Sequence, residues 1–263
     1  MTEHREPINY QSLAMLPELL SLQRPISDPP EHDEMLFIIV HQVHELWFKA
    51  LLHELDRARE LLEAGDEART AATLKRIRSI VKVLVGQLDI LETMTPVEFE
   101  SFRDHLETAS GFQSSQFREL EFVLGMKRAA VLDAFPDPGE RGRLERRLAE
   151  PSLWDAFLRF LVHSGYEVPE RVLARDPTQP VTPDAGVQRV LVEAYRADPA
   201  LINLCECLVD LDEGFQEWRY RHLKMTERTI GNKPGTGDSA GVAYLATTVK
   251  PAFPDLWEMR TAL

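Results

Sequence analysis

Residues 199–229, PALINLCECLVDLDEGFQEWRYRHLKMTERT, decide the fold. Within them Leu204, Leu208, Leu211, Phe215, Trp218, His222 and Met225 recur at alternating spacings of four and three, the seam of a long helix packed against other helices. His222 occupies a slot in that seam. An imidazole among apolar side chains costs free energy unless both ring nitrogens find partners. Two readings satisfy it: a core histidine hydrogen-bonded to a facing helix, or a metal ligand whose other nitrogen meets a carbonyl, a carboxylate or water. Cys205 and Cys207 lie two apart in the same stretch. They therefore point to different faces, can neither bridge one another nor form a zinc pair, and fit a reducing compartment.

The pattern spreads outward from this helix. After Gly65, Leu74, Ile77, Val81, Leu84, Leu88 and Leu91 repeat it, which is bundle packing. Asp33 to about Glu63 predicts a helix whose first half is apolar almost all round, with Phe37, His41, His44 and Phe48 sharing one stripe. Thr95-Pro96-Val97-Glu98 is a helix start with Thr95 as N-cap and Glu98 as its capping-box partner. That helix places Phe99 and Arg103 on one face and is expected to end near Ala109-Ser110-Gly111, with another helix at 112–124. Pro136-Asp137-Pro138-Gly139 reads as a turn, 141–149, 152–162 and 186–196 as helices, 167–184 as a loop, and 239–249 as the last helix. No strand-length alternation and no internal repeat occur. The expected fold is all-α: one helical domain at 31–263 preceded by an arm at 1–30. The arm holds a helical stretch around 10–22 and the breaker Arg24-Pro25-Ile26-Ser27-Asp28-Pro29-Pro30; with little core of its own, it is expected to pack on a neighbouring subunit.

Composition narrows the function classes. At 44% hydrophobic and 28% charged, the 263-residue chain is too apolar for disorder and long enough to bury a sizeable core. Its net charge of -13 argues against nucleic acid or an anionic membrane as partner, since both need a positive surface. The first residues, MTEHREPINYQ, lack the apolar core of a signal peptide, and no uninterrupted apolar run reaches the length of a membrane span. The expectation is a cytoplasmic protein acting on small molecules or proteins.

Histidines in a helical bundle invite three metal readings. A di-iron carboxylate centre needs Glu-x-x-His on two helices, and none of the eight histidines has Glu three residues before it. A zinc protease needs His-Glu-x-x-His, whereas the sequence has His41-Gln42-Val43-His44-Glu45. A haem asks for one protein ligand and a flat apolar cavity, with which a lone His222 is compatible. Arg103, one turn from Phe99, suits bidentate binding of a carboxylate, or forms a rim salt bridge with Glu100 or Glu107. Gly235-Thr236-Gly237-Asp238-Ser239-Ala240-Gly241 is a lid, an anion-binding loop or a plain connector, and it lacks the Walker pattern.

Three blocks carry a resemblance: HDEMLFIIVHQVHELWFK at 32–49, LETMTPVEFESFRDHLETASGFQSSQFRELE at 91–121, and WRYRHLKM with IGNKPGTGDSAG at 218–241. Together they resemble the haem-dependent tryptophan 2,3-dioxygenase family, collinearly from about Tyr10 to the C-terminus. The resemblance implies an all-helical homotetramer carrying haem b, ferrous in its active form, that inserts both atoms of O2 across the indole C2–C3 bond of L-tryptophan to give N-formylkynurenine. It implies His222 as the proximal iron ligand and His41 as the distal histidine near the indole nitrogen. Arg103 would grip the substrate carboxylate, Thr236 the ammonium and carboxylate end, Phe37 and Phe99 the indole, and Ser110-Gly111 the haem edge. Tyr10 would reach into a neighbouring subunit's pocket. The chain departs from the family pattern at Leu13 and Ala14 in the arm and at Asp238 and Ala240 in the loop, and Phe99 stands where some members have tyrosine. These departures leave a second expectation open, a related enzyme of secondary metabolism acting on a substituted tryptophan or inserting one oxygen atom.

Overall fold

The computed structural model describes residues 7–236 and 241–263, and among them it contains thirteen α-helices, short 3-10 turns and no strand. In chain order the helices are α1 (Tyr10–Ala14), α2 (Leu16–Leu19), α3 (His32–Glu63), α4 (Glu67–Leu91), α5 (Pro96–Arg103), α6 (Ser115–Val123), α7 (Pro138–Ala149), α8 (Leu153–His163), α9 (Glu170–Leu173), α10 (Ala185–Ala197), α11 (Pro199–Ile230), α12 (Val242–Thr248) and α13 (Pro254–Glu258). The all-α expectation holds. The frame is α4 packed against both α3 and α11, with α6 and α8 also packed against α3. Every predicted seam residue of α4 is buried, as are those of α11 apart from His222.

Local chemistry sets where these helices begin. Asp198 accepts from the backbone N–H of Ala200 and Leu201 (3.0 and 3.1 Å), and Pro199 follows in the first turn, so α11 starts where three of its free donors are dealt with. Thr95 and Glu98 form the predicted capping box: Glu98 N donates to Thr95 Oγ1 at 3.3 Å and Thr95 N to Glu98 Oε2 at 2.6 Å. Gly214, inside α11, permits close packing; a Cβ there would sit 3.2 Å from Val81 Cγ1 of α4.

Two buried ionisable groups tie the periphery down. Asp212 on α11 accepts from Ala252 N (2.9 Å), Phe253 N (3.0 Å) and Trp257 Nε1 (2.9 Å), which pins the C-terminal segment to the frame. Burial nevertheless keeps its carboxyl above the usual range, against the pull of those hydrogen bonds. Lys127 donates to the carbonyls of Arg147, Leu148 and Glu150 (2.9, 2.9 and 2.8 Å), satisfying acceptors that the end of α7 leaves free.

Several boundaries differ from expectation. The arm helix is split into α1 and α2 by Met15, at φ 49°, two residues before Pro17. The helix opened by Pro96 ends at Arg103, tightens into a 3-10 turn over Asp104–Leu106 and reverses at Glu107, also at φ 49°, short of Ala109. Pro136-Asp137-Pro138-Gly139 is the start of α7, with Asp137 as N-cap and Pro138 at its first position, rather than a free turn. The 167–184 loop contains the single turn α9, and a 3-10 stretch over Ala129–Ala134 was not expected. The predicted 239–249 helix is seen as α12; Ser239 and Ala240 lie outside the described residues, and α13 follows as a further helix.

In length and composition α3 qualifies as a membrane span, with a mean hydropathy of 1.3 over its best window, although no single uninterrupted apolar run does. It packs along α4, α5, α6 and α8. The residues before it are bound to it: Glu34 accepts from Ile26 N (2.6 Å), Ser27 N (3.3 Å) and the Ser27 hydroxyl, and Gln42 donates to Leu22 O at 3.0 Å. The arm's own apolar side chains Ile8, Tyr10, Leu13 and Leu20 stay exposed.

Candidate active site

His41 and His222 share an unusual combination of properties. His41 is exposed and His222 half-buried by accessible surface. Yet burial within the surrounding protein mass holds both imidazoles below their usual pKa, His222 down to about 4, where the charges of His41, His44 and Arg219 add to the effect. Each ring thus has protein around it while keeping some accessible surface. The lowered pKa favours the neutral form of both rings, the state in which an imidazole can ligate a metal or accept a hydrogen bond.

The walls come from four elements. On α3, His41 Nδ1 donates to the Phe37 carbonyl at 2.7 Å, which fixes the tautomer and leaves Nε2 with a free lone pair. The Phe37 ring lies 4.2 Å from the His41 ring, 5.8 Å from Phe99 and 5.5 Å from Phe102, so α3 and α5 present one continuous aromatic wall. Trp218 stacks on His222 one helical turn away, with ring centroids 5.2 Å apart and planes 8° from parallel. Phe117, at 5.1 Å from Trp218, and His44, at 6.2 Å, continue that floor.

The polar end lies where α5 meets the loop after α11. Arg103 Nη2 donates to the Pro234 carbonyl at 2.7 Å, while Glu100 stands 3.8 Å from Nη1 and pairs instead with Lys233 at 2.9 Å. The rim salt bridge considered for Arg103 is thus secondary. Thr236, half-buried, follows two residues after Pro234; Gly237, Asp238, Ser239 and Ala240 lie outside the described residues. Ser110 caps the 3-10 turn Gly111–Gln113, accepting from Phe112 N at 3.3 Å, and Phe112 packs on Tyr244 of α12 at 5.7 Å. Tyr10 is 75% exposed on α1.

The residues fit a haem. A flat group needs aromatic and apolar walls and one neutral imidazole. Here, in addition, the buried nitrogens His44 Nε2 and Trp218 Nε1 have no hydrogen-bond partner. Among the described residues no group of three or more His, Cys, Asp or Glu side chains gathers. A separate open groove of about 710 Å³, lined by Gln188, Arg189, Glu258 and Met259 among others, holds none of the predicted site residues.

Comparison with known sequences agrees. The sequence model described as tryptophan 2,3-dioxygenase matches residues 2–141 and 170–263. The chain belongs to the tryptophan 2,3-dioxygenase family. It is 55% identical to the tryptophan 2,3-dioxygenase of Herpetosiphon aurantiacus, over 98% of this chain and 99% of the relative. It is 52% identical to that of Anaeromyxobacter sp. (strain K), over 99% and 98%, and 44% identical to that of Caulobacter vibrioides, over 98% and 99%. Membership of this family entails a haem cofactor and makes the chain an enzyme. The stretch that the family model leaves out, residues 142–169, covers most of α7 and all of α8 and holds none of the predicted site residues.

The structure sets His41 and Phe37 against Phe99 and Phe102, Trp218 against His222, and Arg103 against Pro234, two residues before Thr236; Ser110 and Gly111 precede Phe112, which lies under Arg118, and Tyr10 stays exposed on α1. Sequence reasoning missed a buried cluster behind the Ser110 turn, formed by Arg118 and Glu121 of α6, Arg128 and Arg219. The three-residue spacing of Arg118 and Glu121 on one helix face was the available signal.

Proposed function

We propose that this chain is a haem-dependent dioxygenase that cleaves the indole C2–C3 bond of L-tryptophan with O2 to give N-formylkynurenine. Two imidazoles held below their usual pKa, His41 beside the Phe37, Phe99 and Phe102 wall and His222 stacked on Trp218, support this reading most directly. His222 would hold the iron of haem b, with Ser110-Gly111 and Phe112 at the macrocycle's edge. When bound in the ferrous state, the haem supplies activation of O2; the reaction breaks one carbon–carbon bond and leaves one oxygen atom on each of its carbons, so O2 is the only oxidant needed.

The protein's own contribution is position. Phe37 and Phe99, backed by the fully buried Phe102 at 5.5 and 5.4 Å, would present one aromatic wall to the indole. His41 Nε2, its lone pair free because Nδ1 is tied to Phe37 O, would accept the indole N–H. Arg103 would exchange the neutral Pro234 carbonyl for the substrate carboxylate, a stronger acceptor that matches its planar fork. Thr236 would take the ammonium and carboxylate end. Such orientation of the C2–C3 bond is where an enzyme of this kind gains rate. The arm at 1–30, with Tyr10 and Leu13 exposed, would pack on a neighbouring subunit of a homotetramer in the cytoplasm and complete that subunit's pocket.

The test is reduced, haem-loaded protein mixed with oxygen and L-tryptophan, following N-formylkynurenine by absorbance. Sustained formation supports the reading; turnover confined to ring- or side-chain-substituted tryptophans would move the protein to the secondary-metabolism branch.

A further inference from the structure

Glu121 of α6 is 1% accessible and is surrounded by three guanidinium groups, those of Arg118 and Arg219, each 5% accessible, and of the less buried Arg128. Arg118 Nη1 lies 2.6 Å from Oε2, Arg219 Nη2 2.7 Å from Oε1, and Arg128 Nη2 2.8 Å from Oε1. Three positive charges thus share one negative charge. The other neighbours are neutral: Met126 Sδ at 3.5 Å from Arg219, Tyr244 Oη at 2.9 Å from Arg128, and the rings of Phe112, Phe117 and Phe215 under Arg118 and Arg219. The Nε atoms of Arg118 and Arg219 are buried without a partner. No second carboxylate among the described residues pairs with any of the three arginines.

Buried charge of one sign in excess is costly, and a structure that keeps it does so where an opposite charge arrives. The place of arrival follows from the neighbours. Arg219 precedes His222 by one turn of α11, on the same helix face. Arg118 lies 4.7 Å over Phe112, the residue after Ser110-Gly111, and Tyr244 closes the far side against the same ring. The cluster therefore lies between the His222 turn of α11 and the turn that carries Ser110 and Gly111.

We propose that Arg118, Arg219 and Arg128, held in place by Glu121, form the anchor for the propionate carboxylates of the haem. The inference rests on the haem reading above. Glu121 splays the three guanidiniums about its two oxygens and leaves their remaining N–H groups for an incoming carboxylate, which fits the planar fork of an arginine. A carboxylate from another source, the substrate's included, shares this chemistry, so the experiment must separate them.

The probe is haem against its dimethyl ester, which keeps the iron and the ring but carries no propionate charge. Each is loaded into wild-type protein, Arg118→Met and Arg128→Gln, and its loss to excess apomyoglobin is followed in the Soret band. The wild type should lose the ester about tenfold faster than haem or more, the scale of one or two charge-assisted hydrogen bonds. In both variants that ratio should fall towards one. Thermal unfolding supplies the second readout: Arg118→Met, which removes part of the charge excess, should leave the apoprotein's Tm unchanged or higher and lower that of the haem-loaded protein. Equal loss of haem and ester from the wild type, or a wild-type ratio kept in both variants, would overturn the anchor. So would Tm changes of one sign in apo and loaded protein, which a merely structural cluster would give. Failure of the wild type to take up either group is a different result and would overturn the haem reading with it.

Discussion

Arg103→Ala isolates the carboxylate grip. In the free protein Arg103 makes one hydrogen bond, to the neutral Pro234 carbonyl at 2.7 Å, and stands 3.8 Å from Glu100. Losing the Pro234 contact should cost about 1–2 kcal/mol of stability, since the guanidinium is charged but its acceptor is a neutral, exposed carbonyl. The substrate stands to lose more. A bidentate pair comprises two charge-assisted hydrogen bonds at roughly 1.5–3 kcal/mol each, and because Arg103 must give up Pro234 to form them, the net loss should be about 2–4 kcal/mol. That corresponds to a KM for L-tryptophan raised roughly thirtyfold to a thousandfold. Arg103→Lys keeps the charge but not the fork and should fall between wild type and Ala. Initial rates of N-formylkynurenine formation across a tryptophan series give KM and kcat, and a thermal melt confirms that the variant is folded. A folded Arg103→Ala protein with KM within about threefold of wild type would remove Arg103 from the carboxylate role.

Further perturbations test the frame and the proposed iron ligand. His222→Ala should abolish haem retention, seen as loss of the Soret band on gel filtration, while His41→Ala should keep the haem and lower kcat. The pH dependence has a defined sign: His222 titrates near 4 in the folded chain against 6.5 for the ordinary imidazole, so the unfolded chain binds more protons between those values and stability falls as pH drops through that window. Urea unfolding of the apoprotein at pH 7.5, 6 and 5 should show a slope that His222→Leu makes shallower; an identical slope would contradict the burial of that imidazole. Asp212→Ala should cost about 3–5 kcal/mol by stranding the Ala252, Phe253 and Trp257 donors, and Asp212→Asn less because one oxygen still accepts. Denaturant midpoints of the two variants check the order.

The frame was legible because periodicity is a local signal. The seams of α4 and α11 and the aromatic stripe of α3 are each read within one helix, and the Thr95 capping box within four residues. Boundaries were less so. The end of α5 at Arg103 depends on Glu107 entering the left-handed region, which no glycine marks, and the break at Met15 is of the same kind. In the site, the residues on regular helices, His41, Phe99, Arg103 and His222, stood out by position on a stripe or seam. The arginine cluster did not, since Arg219 meets Glu121 from 98 residues away and an arginine in a charged-looking run gives no sign that it will be buried. The link from Arg103 to Pro234, across 131 residues, was invisible for the same reason.

The most direct test of the central claim is isotopic. Reduced, haem-loaded protein is given L-tryptophan under a mixture of ¹⁶O2 and ¹⁸O2, and the product is weighed by mass spectrometry before its carbonyl oxygens exchange with water. The account predicts N-formylkynurenine carrying either two light or two heavy oxygens, both atoms drawn from one O2 molecule. A product with a single oxygen from O2, or with light and heavy atoms scrambled, would contradict it.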